Sequence, residues 1–217
     1  MKKNATALQL LCALLGVLLI GVGVAFNQCA GLGNDPVGIV YDGIRSAAGL
    51  GARQLGIASY FVNGALVVLL FFAARRTVSI GTFIYMLPYG AFVTLGGALY
   101  THIFRSGALW VRIAACTAGC ALLYLGVALF IVMDIGVDPF TGLVLALCDA
   151  VHRPYRPVKI VFDLSLIALG TALGGRLGVV TLATALTAGP VIQHFTDRMQ
   201  RWTWLKGESA HEAAAEN

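Results

Sequence analysis

Apolar residues run through this chain in long unbroken blocks, without the two-faced or alternating pattern of a soluble domain. Blocks at about 6–28, 56–74, 79–103, 108–133, 157–173 and 177–197 each approach the roughly 20 residues that carry a helix across a bilayer. Two shorter apolar stretches interrupt the series, Pro36 to Ala48 and Pro139 to Val151. At about 1.5 Å per residue each makes roughly 20 Å of helix, short of a hydrocarbon core of about 30 Å. A transmembrane barrel would need short alternating segments, where this chain has long unbroken apolar ones. The pattern predicts an all-α, polytopic transmembrane helical bundle.

The pattern also repeats. Gly23-Val24-Ala25-Phe26 followed by Gly33-Asn34-Asp35-Pro36 recurs as Gly126-Val127-Ala128-Leu129 followed by Gly136-Val137-Asp138-Pro139 with identical spacing. Asn63 precedes Arg76 by 13 residues, as Asp163 precedes Arg176; Thr82 precedes Gly90 by eight, as Thr181 precedes Gly189. The chain therefore divides into a first repeat, residues 1–104, a second, residues 105–206, and a tail, 207–217, of disordered composition. Asp35 and Asp138 suit the N-cap position of the short helices, Pro36 and Pro139 the first helical position, and Gly33 and Gly136 the sharp turn before it.

Charge decides little between two topologies. Six crossings with two short re-entrant or interfacial helices make the repeats inverted. That arrangement puts Lys2, Lys3, Arg75, Arg76, Arg153, Arg156, Lys159, Arg198, Arg201 and Lys206 inside and Arg45, Arg53, Arg105, Arg112 and Arg176 outside, ten against five. Eight crossings make the repeats parallel, with twelve cations inside and three outside. The positive-inside bias favours eight; segment length favours six. We carry six as the working expectation. Both put the two termini in the cytoplasm. The net charge of +5 fits basic cytoplasmic loops better than nucleic-acid binding, since no soluble domain remains. The Trp202, Trp204 and Lys206 cluster resembles an interfacial belt.

Ionisable residues at membrane depth are candidates for function. Asp163 is the sharpest, with Asn63 at the matching place in the other repeat; a carboxylate and an amide there would line a substrate pathway together with Asp35 and Asp138. Each has a structural alternative. Lys159, four residues before Asp163 on the same helical face, would neutralise it, Asn63 would tie helices together, and the two Asp-Pro pairs would be caps alone. Asp42 has Arg45 three residues on, a local pair. The cysteines Cys12, Cys29, Cys116, Cys120 and Cys148 read as small packing residues rather than metal ligands. There is no catalytic motif, and no metal or cofactor is expected.

The Gly-x-Asp-Pro pairs after an apolar helix, Asn63, Ser79-Ile80-Gly81-Thr82 running to Gly90, and Thr181 running to Gly189-Pro190-Val191-Ile192 resemble the YczE/YitT-type integral membrane proteins of bacteria. The resemblance implies a multi-span inner-membrane protein and names no substrate. The whole reading predicts a non-enzymatic permease for a small polar molecule, embedded in lipid, with homo-oligomers allowed. The alternatives are a substrate-capture subunit of a larger transporter and a non-transporting accessory or scaffold protein.

Overall fold

The computed structural model describes residues 7–51 and 54–201. Among these there are eight α-helices and no strand: α1 Ala7–Ala30, α2 Pro36–Ala47, α3 Leu55–Ala73, α4 Ile80–Ile103, α5 Leu109–Val132, α6 Pro139–Val151, α7 Tyr155–Ala172 and α8 Val179–Gln200. Each apolar block becomes one helix, within a few residues of its expected ends. The Trp202–Trp204 belt, Arg53, Lys2, Lys3 and the tail from Gly207 lie outside the described residues.

Four helices, α1, α3, α4 and α5, are long and apolar enough to cross a membrane. Helices α7 and α8 have 18 and 22 residues, but α7 carries Arg156, Lys159 and Asp163 in its first half. The outer surface is strongly apolar: Phe61, Phe72, Trp110 and Leu186 are all more than 70% exposed. Apolar surface on this scale belongs against lipid, so the chain is a helical membrane protein.

Glycines set the packing. Lipid tails are as apolar as leucine, so helices in a bilayer associate where small residues let backbones touch. A Cβ added at Gly23 would lie 2.5 Å from the Gly119 carbonyl oxygen, and one at Gly126 would lie 2.5 Å from that of Gly16. Gly16 thus meets Gly126 while Gly23 meets Gly119, so α1 and α5 run antiparallel. Along α4, Gly21 meets Phe92 and Val93 while Gly96 meets Val22 and Ala25, so α1 and α4 run parallel.

The short helices cross over. Helix α2 packs chiefly on α7, where Gly170 receives Ile39, and α6 packs on α3, where Gly142 receives Leu70. The two contacts occupy positions matched by the sequence recurrence, with the glycine on the long helix in one and on the short helix in the other. The loops behave alike. The Val180 N–H donates to the Leu32 carbonyl at 3.0 Å, and the Gly81 N–H donates to the Ile135 carbonyl at 3.1 Å. The start of α8 therefore closes on the α1–α2 turn, and the start of α4 closes on the α5–α6 turn.

Candidate functional site

Both Asp-Pro starts form as their sequence requires. Gly33 has φ +105° and Gly136 φ +136°, backbone that L side chains rarely adopt. Asp138 is a complete cap: its Oδ1 accepts from the Phe140 N–H at 3.0 Å and the Thr141 N–H at 3.1 Å, and its Oδ2 accepts from the Thr141 hydroxyl. Asp35 is a partial one. Its Oδ2 accepts from the Val37 N–H at 3.2 Å, while Oδ1 is sealed from solvent and makes no hydrogen bond of ordinary geometry. Asn34, the neighbour of Asp35, is buried and donates from Nδ2 to the Val24 carbonyl at 3.3 Å. That bond folds the turn back along α1.

A buried aromatic cluster joins the two short helices. Tyr85 and Tyr89, one turn apart on α4, stack with ring centroids 5.0 Å apart. Tyr41 of α2 packs on Tyr89 at 5.7 Å and on Phe140 of α6 at 5.8 Å.

Asn63 belongs to this cluster. It is buried on α3, where its Nδ2 donates to the Tyr41 hydroxyl at 3.0 Å and its Oδ1 accepts from the same hydroxyl at 3.2 Å. It ties α3 to α2, as the helix-tie alternative expects. Asp163 is half-buried on α7 and ion-paired with Lys159, the partner expected from their spacing. Of the four residues singled out from sequence, Asn63 belongs to the aromatic cluster and Asp138 stands two residues before its Phe140, whereas Asp35 caps α2 and Asp163 is held by Lys159 on α7.

Sequence reasoning missed the tyrosines. The four-residue spacing of Tyr85 and Tyr89 was the available signal, since it places two phenols on one face of an otherwise apolar helix. It also missed the reach of Asp42. The expected Arg45 pair forms, Nη2 to Oδ1 at 2.8 Å. In addition, buried Asp42 accepts from Gln28 of α1 and, at 2.9 Å, from the Arg176 backbone N–H in the α7–α8 turn. These partners, 14 and 134 residues away, leave no mark on local spacing.

The matched halves differ again in how their long helices close. In the first, Gly56 of α3 lies against Gly90 of α4. The Tyr60 hydroxyl enters beside Pro88, donating to the Leu87 carbonyl at 2.9 Å and accepting from the Ala91 N–H at 3.1 Å, the pair that an unbroken helix would join. In the second, Arg156 stands where Gly56 does, and Gly189 faces open space. Helix α8 rests on α5 and scarcely touches α7.

A family of unknown function, DUF6198, matches residues 7–197, and the chain belongs to it. An uncharacterised protein of Haemophilus influenzae is 26% identical over 188 residues, covering 87% of this chain and 83% of that protein. No solved structure gives a significant match.

Proposed function

We propose that this member of the DUF6198 family is a carrier for a small polar molecule, built from two inverted repeats with six crossings and two short re-entrant helices. The observation that carries the reading is the antiparallel pairing of α1 with α5 through Gly16–Gly126 and Gly23–Gly119. Exchanging the two recurring segments turns each of these contacts into the other. A two-fold axis across the helices relates inverted halves, whereas parallel halves would set α1 and α5 parallel. The loop-to-helix bonds of Leu32 and Ile135 support the same exchange.

Carriers of this construction bind cargo where the repeats meet, at helices interrupted near the membrane midplane. The interrupted segments here are the Asp35-Pro36 and Asp138-Pro139 starts. The partial cap at Asp35, whose Oδ1 is buried without a partner, gives the first half a place to receive a polar group, whereas Asp138 has none to spare. The unequal halves fit alternating access: α3 and α4 are closed through Gly56 and Gly90 while α7 and α8 stand apart. The resemblance to YczE/YitT-type proteins, the inner-membrane location and the cytoplasmic termini belong to the same reading.

The test has two parts. In a cysteine-free background, Ser106→Cys should react with an impermeant maleimide on intact cells while Ala74→Cys should not; the reverse pattern means eight crossings. Ligands found by a thermal-shift screen of small polar metabolites should lose their shift in Asp163→Asn. An unchanged shift there removes Asp163 from the site. A substrate-capture role is the second reading, favoured by the broad unpartnered faces of α7 and α8; co-purification of an ATPase subunit would select it.

A further inference from the structure

Two openings lie side by side at the end of the bundle where α1 and α4 finish and α5 begins. One is a basic pocket of about 380 Å³ containing Arg105, Arg112 and Arg176, with Tyr100 and Phe104 as its aromatic wall. The other is an apolar groove of about 660 Å³ between α5 and α8, lined by Leu109, Ile113, Val180 and Ala183 among others. Neighbouring positions of the same three segments build both: Gly31 and Leu32 in the α1–α2 turn, Arg112 and Ile113 on α5, and Arg176 and Val179 at the entry to α8.

Arg112 is fixed by the end of α1, donating from Nε to the Ala30 carbonyl at 2.6 Å and from Nη2 to the Gly31 carbonyl at 3.0 Å. Arg105 donates from Nε to the His102 carbonyl at 3.3 Å. Among the described residues, none of the three makes an ion pair. Asp42, the nearby acid, is taken by Arg45, by Gln28 and by the Arg176 backbone. Three guanidinium groups therefore face one concave space without a carboxylate. Guanidinium forks suit phosphate oxygens.

We infer that this is a site for an anionic phospholipid, with the phosphate held between Arg105, Arg112 and Arg176 and an acyl chain lying in the α5–α8 groove. A basic pocket alone would take any small anion, and an apolar groove alone any lipid. Their adjacency selects an amphiphile with a charged head. The site does not depend on the carrier reading, because it lies at the bundle end and uses none of Asp35, Asn63, Asp138 and Asp163. In the six-crossing reading these arginines lie on the non-cytoplasmic side, against the positive-inside bias, which a lipid phosphate held there would offset.

Native mass spectrometry of the delipidated full chain tests it, with phosphatidylglycerol or phosphatidylcholine of matched acyl chains added back. The intact protein should retain phosphatidylglycerol in preference. Each basic residue near a lipid surface is worth about five-fold in affinity, so Arg105→Gln with Arg176→Gln should weaken retention about thirty-fold. Arg112 is left in place because it caps α1. Ala183→Phe, which fills the groove and leaves the arginines, should lower retention of both lipids and preserve the preference for phosphatidylglycerol. Equal retention of the two lipids by the intact protein overturns the proposal, as does an undiminished preference in the double arginine variant. Displacement of phosphatidylglycerol by millimolar inorganic phosphate also overturns it, since the head pocket would then be a site for the free anion.

Discussion

Replacing Gly23 with alanine tests the contact on which the architecture turns. The added Cβ would stand 2.5 Å from the Gly119 carbonyl oxygen and 2.8 Å from the Leu123 nitrogen, where ordinary contact begins at 3.4 Å. Both obstacles are backbone, so no side chain can swing away; α1 and α5 must part by about 0.9 Å, the difference between 3.4 and 2.5 Å. Overpacking of this kind costs about 1–3 kcal/mol, and the better helix propensity of alanine returns up to about 1 kcal/mol. The net loss should be about 1–2 kcal/mol, or a fall in melting temperature of roughly 2–8 °C for a chain of this size. Gly126→Ala should cost the same, because its Cβ meets the Gly16 carbonyl at the same 2.5 Å. Gly97→Ala, in open space on α4, should be neutral or slightly stabilising. In a background that keeps only Cys116, which is buried, a thiol-reactive fluorophore follows unfolding of the detergent-solubilised protein. If Gly23→Ala melts with the parent, or Gly97→Ala falls as far, close glycine packing does not hold α1 on α5. If Gly23→Ala and Gly126→Ala differ widely, the two contacts are not equivalent.

Three further outcomes are expected. Tyr41→Phe should destabilise by about 1–2 kcal/mol, since it strands buried Asn63, and adding Asn63→Leu should recover most of the loss; a double variant no better than the single would show that the pair is not the tie. In melting measurements Asp138→Ala should cost about 1–2 kcal/mol as a lost N-cap. Asp35→Ala should cost less, because Asp35 makes a single capping bond; the opposite order would refute the unequal caps. Gly90→Ala should lower the melting temperature while Gly189→Ala leaves it unchanged, as a Cβ at Gly90 meets the Tyr60 ring at 2.4 Å and one at Gly189 meets nothing; equal effects would mean that α7 and α8 are as closed as α3 and α4.

The helices were legible in the sequence because their signals are local. Long apolar blocks fix their number, and Asp-Pro after glycine fixes the starts of α2 and α6 almost to the residue. The Asp42–Arg45 and Lys159–Asp163 pairs were legible for the same reason, being three and four residues apart. What escaped notice depends on distant partners. Nothing near Asn63 announces Tyr41, 22 residues earlier. Nothing near Arg112 announces that it will close the end of α1, 82 residues before it. The recurrence did give Asn63 and Asp163 equivalent positions, but not equivalent surroundings: one is sealed against a phenol, the other half-buried on a lysine. Positional equivalence sets where a residue stands, while its neighbours on other helices set what it can bind.

The crossed packing has a consequence for how the protein is made. Because α2 rests on α7, and α4 begins on the α5–α6 turn, neither half contains the surfaces that complete it. The first half leaves the ribosome about 100 residues ahead of the second, which at 5–20 residues per second is roughly 5–20 s. Throughout that interval the α7 face that α2 will cover is still unsynthesised, and the α1–α2 turn lacks the start of α8. A membrane insertase or chaperone must shelter these polar turns, or the half-made bundle must stay loose until α7 and α8 arrive. Halves cut in the exposed α4–α5 connection at Gly107 should therefore accumulate only when they are synthesised together.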